Sequence, residues 1–433
     1  MRIQDLSNKN VCILGFGREG RAMADALLES AKGCEITVAD KNEKTVVSKE
    51  FRSQTGAGWL TNLETFDVLI KSPGIPPLPE LIHFKDKLTT STQIFFDSIK
   101  DTGAIIVGVT GSKGKSTTST LIHHILKAAG KDTHLIGNIG EAAITHLKDA
   151  KSNTIFVHEL SSYQLMDLTS SPEIAVVTAF FPEHLDYHGS LDAYLEAKKH
   201  IARFQTDKDT VIFNASSPEA KLIASEGEGK KIGFSIKDAP VTSEDILLRG
   251  EHNLSNIAAA WTVCEVLGVE KESAMRTITT FQGLPHRLES LGIIDGIEWV
   301  NDSISTTPES AIATLDAFDK RVSVVILGGQ DRGYDFTPLA EKIKNSPWIR
   351  MAILLPDSGT VIGKALEHAG AAVILSNAET LEEAVKTARK AALDPKPEDG
   401  TVPVVALSPA APSYGHYKNF EERGELFRRA VRG

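Results

Sequence analysis

Short runs of β-branched and aliphatic residues alternate along the chain with longer stretches in which apolar residues recur every three or four positions. The first series begins with VCILG, continues with a helical stretch from about Glu19, and then gives EITVAD, a second helical stretch and DVLIKSPG. Such runs favour buried strands, and their alternation with helices indicates βαβ units. The pattern therefore predicts an α/β fold with parallel sheets.

The same alternation restarts twice. A helical stretch over Ser91 to Lys100 leads into AIIVGVTG, a glycine-rich turn and the long helix STTSTLIHHILKAAG, followed by TIFVHEL, EIAVVTAFF, DTVIFN and NLSNIAAAWTVCEVLG. After LPHR, a third series contains IEWVND, RVSVVILGG, MAILLP, AAVIL and TVPVVALS. We predict three α/β domains over residues 1–93, 94–283 and 284–433, and a surface turn at the low-complexity stretch EGEGKK.

Composition agrees with this division, because 433 residues at roughly 150 per domain give about three domains. With 41% hydrophobic and 24% charged residues, the chain has the composition of a globular protein. Its formal net charge of −10 would repel a polyanion, so we expect no nucleic-acid partner. Small anions are still possible ligands, since backbone N–H groups bind phosphate whatever the net charge.

The three cysteines, Cys12, Cys34 and Cys264, are too few and too scattered for a disulfide framework or a zinc knuckle. This usage is typical of a reducing compartment. The segment MRIQDLSNKN lacks the apolar core of a signal peptide, and no run of about 18 apolar residues occurs. We therefore expect a cytoplasmic protein without membrane insertion.

A glycine-rich turn between a strand and a helix is the strongest chemical signal. In GVTGSKGKSTT, residues 108–118, glycines recur at 108, 111 and 114, and Lys115 and Ser116 open a helix. Free N–H groups and the lysine suit phosphate, and the serine hydroxyl can ligate Mg²⁺. Val109 stands where GxxxxGK[ST] has its first glycine, so we predict a variant phosphate loop. The alternative is a glycine-rich turn without a ligand.

A second glycine-rich turn, GFGREG at residues 15–20, follows the first predicted strand, and Asp40 closes the second strand. Alone, this spacing matches the dinucleotide-binding fingerprint and predicts a nicotinamide-dependent dehydrogenase. A lone GxGxxG is a weak signal. An ATP-driven switch protein is a further alternative, because a phosphate loop does not by itself define a ligase.

More motifs follow the phosphate loop: GNIG, ELSSYQL, FPEHLDYH, an AK pair in a helix, GEHNLSN, GLPHR, NDS, GGQDRG and LSPAAPSYGHYKNFEERG. In order and spacing they resemble the glutamate-adding members of the Mur ligase family over nearly the whole chain. The resemblance implies ATP-dependent joining of glutamate to UDP-N-acetylmuramoyl-L-alanine during peptidoglycan precursor synthesis. It also implies a Rossmann-like UDP-sugar domain at 1–93, a P-loop ATPase domain at 94–283 and a Rossmann-like glutamate domain at 284–433. We expect a monomer.

The resemblance assigns catalytic roles to Lys115, Glu159, His184 and Lys198. Glu159 and His184 would each ligate one Mg²⁺ in a two-metal site, and a CO₂-derived carbamate on Lys198 would help to hold the second ion. Ser116 is the further metal ligand. The implied ATP-binding residues are Gly108, Gly111, Ser112, Lys113, Gly114, Lys115, Ser116, Thr117, Asn253, Arg287 and Asp302.

Lys198 also has a signal of its own, because it shares an apolar helical stripe with Tyr194 and Ile201 while Lys199 points away. The carbamate that the resemblance implies would remove the positive charge, which would explain tolerance of burial. The structural alternative is a lysine that snorkels from the edge of the stripe.

The other assignments have alternatives too. His184 could be structural, or form a lone transition-metal site with Asp186 and His188. Asn253 could be a helix N-cap, and Arg287 could form a hinge salt bridge. Three further histidines are expected to be packing or surface residues: His123, His124 and His158.

By the same resemblance, the N-terminal turn would hold the UDP diphosphate, and KSPGIP would lie near the uridine. The implied UDP-sugar residues are Gly15, Phe16, Gly17, Arg18, Asp40, Ser72, Pro73 and Gly74, with Asn138, Ser161 and Gln164 near the muramoyl-alanine. The implied glutamate residues are Thr306, Arg332, Ser413 and Phe420. An arginine suits a bidentate carboxylate clamp.

The segment NDSISTT departs from the NDSKATN of many glutamate-adding members, since Ile304 replaces a lysine and Thr307 an asparagine. The combination KSPGI, FPEHLD, NDSISTTP, GGxDRG and SPxAPS also resembles a branch that adds L-glutamate. We predict D-glutamate as the substrate because that activity is more prevalent, with L-glutamate as the alternative.

Overall fold

The computed structural model describes residues 1–248, 250, 252–394 and 400–433, without the side chain of Asp186. The chain divides into two compact units. The first comprises Met1–Ile246 with Glu251–Thr280, and the second comprises Leu247–Gly250 with Phe281–Gly433. Two sheets lie in the first unit and one in the second, so the predicted α/β class is confirmed.

A five-stranded parallel sheet begins the first unit, in the order β3-β2-β1-β4-β5. Its strands are β1 (Asn10–Leu14), β2 (Glu35–Asp40), β3 (Arg52–Thr55), β4 (Val68–Lys71) and β5 (Leu88–Thr89). Its helices are α1 (Arg18–Ser30) and α2 (Ser91–Ile99), with 3₁₀ helices at Ile3–Leu6, Gly56–Gly58, Leu63–Thr65 and Pro79–Lys87.

The second sheet has six parallel strands in the order β11-β10-β9-β6-β8-β7. The strands are β6 (Ile105–Thr110), β7 (Thr133–Gly137), β8 (Ile155–Glu159), β9 (Ile174–Val177), β10 (Thr210–Asn214) and β11 (Lys230–Phe234). The helices are α3 (Lys115–Ala128), α4 (Ser162–Leu165), α5 (Leu185–His188), α6 (Leu191–Arg203), α7 (Pro218–Ala224), α8 (His252–Val266) and α9 (Lys271–Thr280), with 3₁₀ helices at Ala143–Asp149 and Ile236–Asp238. The turn predicted at EGEGKK ends at Gly229, because the next residue begins β11.

The sheet of the second unit is mixed, in the order β12-β13-β17-β14-β15-β16. Its first strand runs antiparallel to the second, and the other pairs are parallel. The strands are β12 (Glu289–Ile294), β13 (Ile297–Asn301), β14 (Val322–Gly329), β15 (Met351–Asp357), β16 (Ile374–Asn377) and β17 (Val404–Leu407). The helices are α10 (Pro308–Phe318), α11 (Thr337–Lys344), α12 (Ser358–Ala369), α13 (Leu381–Leu393) and α14 (Phe420–Arg432), with a 3₁₀ helix at Asp319–Arg321.

Helix α2 packs the first two sheets together. The Phe95 ring lies edge to face against the ring of Phe156 in β8, with 5.2 Å between centroids, and both side chains are fully buried. The side chain of Gln93 accepts the N–H of Thr169 at 2.8 Å. Residue 93, where the sequence pattern placed a domain boundary, therefore lies inside this packed helix.

Among the described residues, no helix combines the length and the apolar character needed to cross a bilayer.

Candidate active site

The loop predicted to bind phosphate connects β6 to α3, and its tight path requires glycine. At Gly111 the backbone φ is +148°, and a Cβ atom there would lie 2.0 Å from Thr178 Oγ1. That hydroxyl lies 2.7 Å from the Lys113 carbonyl oxygen and 3.1 Å from the Thr110 carbonyl oxygen, so it holds both ends of the loop. The N–H groups that open α3 follow directly, and this geometry suits a bound anion.

Ser112 attaches the phosphate loop to two other segments. Its Oγ donates to the Phe181 carbonyl oxygen at 2.7 Å, accepts the Phe181 N–H at 2.8 Å and lies 2.9 Å from Tyr194 Oη. One buried hydroxyl thus joins the loop to the segment that carries His184 and to the helix that carries Lys198. The sequence had suggested Ser112 only as an ATP-binding residue.

Lys198 lies behind the phosphate loop and is 1% exposed. Its Nζ donates to the Gly111 carbonyl oxygen at 2.9 Å and lies 4.7 Å from the centroid of the Tyr194 ring. Burial, and then the nearby Lys115 ammonium, lower the pKa of Lys198 well below its ordinary value. The predicted burial is confirmed, and the snorkelling alternative is wrong because the amine itself is enclosed.

Strand β8 carries Glu159 to the carboxyl edge of the central sheet, where it pairs in register with Val109 of β6. The side chain is 1% exposed, and Oε1 accepts a hydrogen bond from Asn138 Nδ2 at 3.1 Å. Oε2 is buried without a hydrogen-bond partner in the described structure. An unpaired buried carboxylate oxygen is costly, and a divalent cation would relieve that cost. Glu159 therefore fits a metal ligand.

His184 adopts a left-handed backbone conformation, with φ +57° and ψ +33°, directly before α5. The residue is exposed, and its ring lies 6.2 Å from the Tyr194 ring. His188 Nε2 lies 3.0 Å from Ser162 Oγ. The Asp186 side chain lies outside the described structure, so the alternative of a lone His-Asp-His metal site stays a prediction.

A cavity of about 460 Å³ lies in the first unit, next to the N-terminal glycine-rich turn. The sequence-predicted residues that line it are Gly15, Phe16, Gly17, Arg18, Asp40, Ser72, Pro73, Gly74, Asn138, Ser161 and Gln164. The lining residues that the sequence did not single out one by one are Glu19, Lys41, Trp59, Ile75 and Tyr163. Glu19 and Ile75 lie inside motifs already noted, whereas nothing local distinguished Trp59. The structure thus brings the whole predicted UDP-sugar set to one cavity.

Two residues of this cavity also hold its loops. The carboxylate of Asp40 accepts the backbone N–H of Phe16 at 2.7 Å and that of Asn42 at 2.8 Å. The guanidinium of Arg18 donates to the Gly137 carbonyl oxygen at 2.6 Å. Asp40 and Arg18 therefore shape the cavity through the backbone, and their contacts with a substrate stay predictions.

Other candidates have a packing role. Gly108 lies inside β6, where a Cβ atom would be 2.6 Å from Pro172 Cγ. Asn253 lies one residue inside α8 and accepts a hydrogen bond from Asn256 Nδ2 at 3.0 Å, so the N-cap alternative is wrong. His158 is fully buried beside the phenylalanines of α2, which confirms it as a packing residue.

In the second unit, the predicted glutamate residues follow adjacent parallel strands. Thr306 follows β13, Ser413 follows β17 and Arg332 follows β14, so all three come after the carboxyl ends of neighbouring strands. Phe420 opens α14, and its carbonyl oxygen accepts a hydrogen bond from Ser303 Oγ at 2.8 Å. This is the edge at which open α/β sheets bind ligands.

A buried arginine that sequence reasoning missed joins two of these loops. Arg423 is fully buried and donates to the Ser303 carbonyl oxygen at 2.8 Å and to the Ala411 carbonyl oxygen at 3.1 Å. Burial lowers the pKa of Arg423 to about 10. Its position within NFEERG was visible in the sequence, but its burial was not. Nearby, Nε of Arg287 is buried without a hydrogen-bond partner among the described residues.

Asp302, predicted to contact ATP, is a buried hydrogen-bond acceptor in this unit. It is 4% exposed and accepts the N–H of Leu288 at 3.0 Å and the Ser408 hydroxyl at 3.2 Å. Burial is the largest influence on this carboxyl group and raises its pKa to about 6. The folded protein therefore favours the protonated form more than the unfolded chain does.

A pH dependence follows from this raised pKa. The stability that proton binding at Asp302 contributes is complete below the ordinary value of 3.8 and is lost as the pH rises through about 6. At about 1.36 kcal/mol per pKa unit, this contribution to the free energy of unfolding is about 3 kcal/mol. We expect the free energy of unfolding of the wild type, relative to Asp302→Asn, to fall from pH 4 to pH 7. Urea denaturation followed by circular dichroism measures this, and a difference that does not vary with pH would contradict it.

Comparisons with known proteins concern the family of the chain as a whole. The Mur ligase middle domain matches residues 109–246, and the Mur ligase glutamate ligase domain matches residues 286–406. A relative from Salinispora tropica, named UDP-N-acetylmuramoyl-L-alanine–L-glutamate ligase, is 36% identical and covers 100% of this chain and 99% of that protein. A relative from Symbiobacterium thermophilum, named UDP-N-acetylmuramoylalanine–D-glutamate ligase, is 33% identical and covers 98% of each.

Solved structures share the fold. The UDP-N-acetylmuramate-alanine ligase MurC of Thermotoga maritima matches with a TM-score of 0.59 at 18% identity, over 98% of this chain and 99% of that one. The MurF ligase of the same organism, in complex with ADP, matches with a TM-score of 0.59 at 16% identity, over 100% and 97%. Because relatives above 30% identity extend over the whole chain, the protein belongs to the Mur ligase family.

Proposed function

We propose that the protein is an ATP-dependent ligase that joins glutamate to UDP-N-acetylmuramoyl-L-alanine. One juxtaposition carries the proposal: the phosphate loop, Glu159 and Lys198 lie together at the carboxyl edge of the central sheet, and the cavity formed by the predicted UDP-sugar residues lies in the same unit. The full-length relatives bear the names of such ligases. The ADP complex of a structural neighbour supports ATP as the nucleotide.

The reaction would proceed in two steps. The carboxylate of the muramoyl-alanine attacks the γ-phosphorus of ATP, which forms an acyl phosphate and releases ADP. The glutamate amine then attacks the acyl carbon, and inorganic phosphate leaves from the tetrahedral intermediate while the nitrogen loses a proton. Positioning and charge neutralisation are the main requirements of such phosphoryl transfer.

Residues of the first unit would meet these requirements. The N–H groups that open α3 would bind the phosphates, and Lys115, whose Nζ now donates to the carbonyl oxygens of Gly111 and Ser112 at 3.0 and 2.9 Å, would turn to the transferred phosphoryl group. Ser116, Glu159 and His184 would hold Mg²⁺, which neutralises charge on phosphate and carboxylate oxygens when bound.

Lys198 would carry the carbamate. Its amine nitrogen would bond to the carbon of CO₂ and release one proton, which gives an anionic carboxylate behind the loop. The burial of Nζ disfavours a positive charge, and the N–H of a carbamate could keep the hydrogen bond to the Gly111 carbonyl oxygen, 2.9 Å away.

The remaining roles follow the predicted division of the chain. The cavity of the first unit would take the UDP-sugar, and the strand ends that carry Arg332 and Ser413 in the second unit would take glutamate. We place the reaction in the cytoplasm, where the three free cysteines would stay reduced. A monomer would suffice, because one chain supplies every proposed binding residue.

Phosphate release tests the function and the isomer. Purified protein with ATP, Mg²⁺ and UDP-N-acetylmuramoyl-L-alanine should release phosphate when D-glutamate is added, and each phosphate should match one ligated product by mass spectrometry. L-glutamate is the second candidate. The relatives named for L-glutamate are 36% identical to this chain, and those named for D-glutamate are 32–34% identical.

The two isomers give distinct outcomes. Stimulation by L-glutamate alone would transfer the assignment to the second candidate and leave the ligase function intact. Phosphate release that neither glutamate isomer nor the UDP-sugar increases would contradict the ligase and favour an ATP-driven switch protein.

A further inference from the structure

A cluster of histidine and carboxylate side chains lies at the edge of the central sheet, outside the proposed reaction site. His134 lies in β7, and His146 and Asp149 lie in the following 3₁₀ helix. One nitrogen or carboxylate oxygen from each lies within 4.8 Å of the other two, the one such group of three or more in the described part of the chain. The proposed ligase reaction uses none of these side chains.

We propose that His134, His146 and Asp149 bind a divalent transition metal of the Zn²⁺ class. Two imidazoles and a carboxylate suit Zn²⁺ better than Mg²⁺, which prefers oxygen ligands. In a tetrahedral site with bonds of about 2.0–2.2 Å, ligand atoms lie roughly 3.5 Å apart. His146 Nδ1 and Asp149 Oδ2 are 2.8 Å apart, so a bound metal would separate this pair slightly and draw His134 closer, from within 4.8 Å.

The surroundings of both imidazoles suit this role. His146 Nε2 lies 3.0 Å from Glu141 Oε2, and a carboxylate on the second ring nitrogen is what orients a metal-binding histidine. The ring of His134 stacks on that of Phe156, with 5.5 Å between centroids and 30° between planes. Because Phe156 is fully buried, packing fixes one side of the His134 ring.

A metal at this cluster would connect the ends of segment 134–149. This segment contains Gly137, which accepts the Arg18 hydrogen bond, and Asn138, which donates to Glu159. We expect the metal to stabilise the segment and to raise the melting temperature of the protein. Metal binding here is independent of the proposed ligase function.

Titration of the metal-free full-length protein with Zn²⁺, by isothermal titration calorimetry, tests the site. The wild type should bind one equivalent whose affinity falls at least about 100-fold in His146→Asn and in Asp149→Asn. Visible absorption of bound Co²⁺ should report histidine ligation in the wild type and weaken in His146→Asn. Two variants are used so that a folding defect in one, detected by circular dichroism, leaves the other informative.

Two control variants test whether the one equivalent of bound Zn²⁺ lies at this cluster. His368→Asn removes an exposed histidine of the second unit and should leave binding unchanged. Glu159→Gln removes any Zn²⁺ held at the proposed Mg²⁺ site and should also leave this equivalent intact. Equal stoichiometry and affinity in the wild type, His146→Asn and Asp149→Asn would overturn the proposal, and so would loss of the equivalent in His368→Asn.

Discussion

Replacement of Lys198 by alanine is expected to lower the ligation rate by at least about a thousandfold. The variant loses the proposed carbamate, and with it a ligand of the second Mg²⁺ and a negative charge behind the phosphate loop. A short carboxylic acid such as formate should restore part of the rate, because it fits the space that the side chain leaves and supplies a carboxylate. Phosphate release with and without formate measures both effects.

Lys199→Ala is the matched control, because it removes the adjacent lysine on the same helix. Lys199 is 20% exposed and pairs with Glu196, so we expect its variant to keep nearly full activity. Carbon NMR with labelled bicarbonate should show a carbamate signal in the wild type and in Lys199→Ala, and none in Lys198→Ala. Full activity of Lys198→Ala would show that this lysine only fills the core.

The sequence pattern predicted the central strands well and the edge strands poorly. The strands that it missed are β3, β5, β7, β11 and β12, and each lies at the end of a sheet. A central strand is covered on both faces and reads as a continuous apolar run, whereas an edge strand such as β3, with sequence RSQT, is partly exposed and mostly polar. The edge strand β12, which the sequence pattern missed, runs antiparallel to β13 and so makes the last sheet mixed.

The site was predictable where motifs are local and not where distant segments meet. Spacing alone identified the phosphate loop and the stripe position of Lys198. The hydrogen bonds of Ser112 with Phe181 and Tyr194 span 69 and 82 residues, and no local signal encodes them. The N-terminal glycine turn, read by itself, predicted a dehydrogenase, whereas the ordered motifs along the whole chain indicated a ligase.

Replacement of Glu159 by glutamine should separate activity from stability. Activity should fall at least about a thousandfold, because the proposed Mg²⁺ loses an anionic ligand. Stability should stay equal or rise, because glutamine keeps an oxygen that can accept the hydrogen bond from Asn138 Nδ2 and removes a buried charge whose second oxygen has no partner. Phosphate release and urea denaturation in metal-free buffer measure the two effects.

Glu173→Gln is the control at the opposite edge of the same sheet. Oε2 of Glu173 accepts the N–H of Ile106 at 2.8 Å, at the start of β6, so this carboxylate supports the strand far from the phosphate loop. Its variant should retain activity. A carboxylate kept for a metal should lose activity but not stability when it is neutralised. Parallel loss of activity and stability in Glu159→Gln would therefore contradict the metal role and make Glu159 a structural residue.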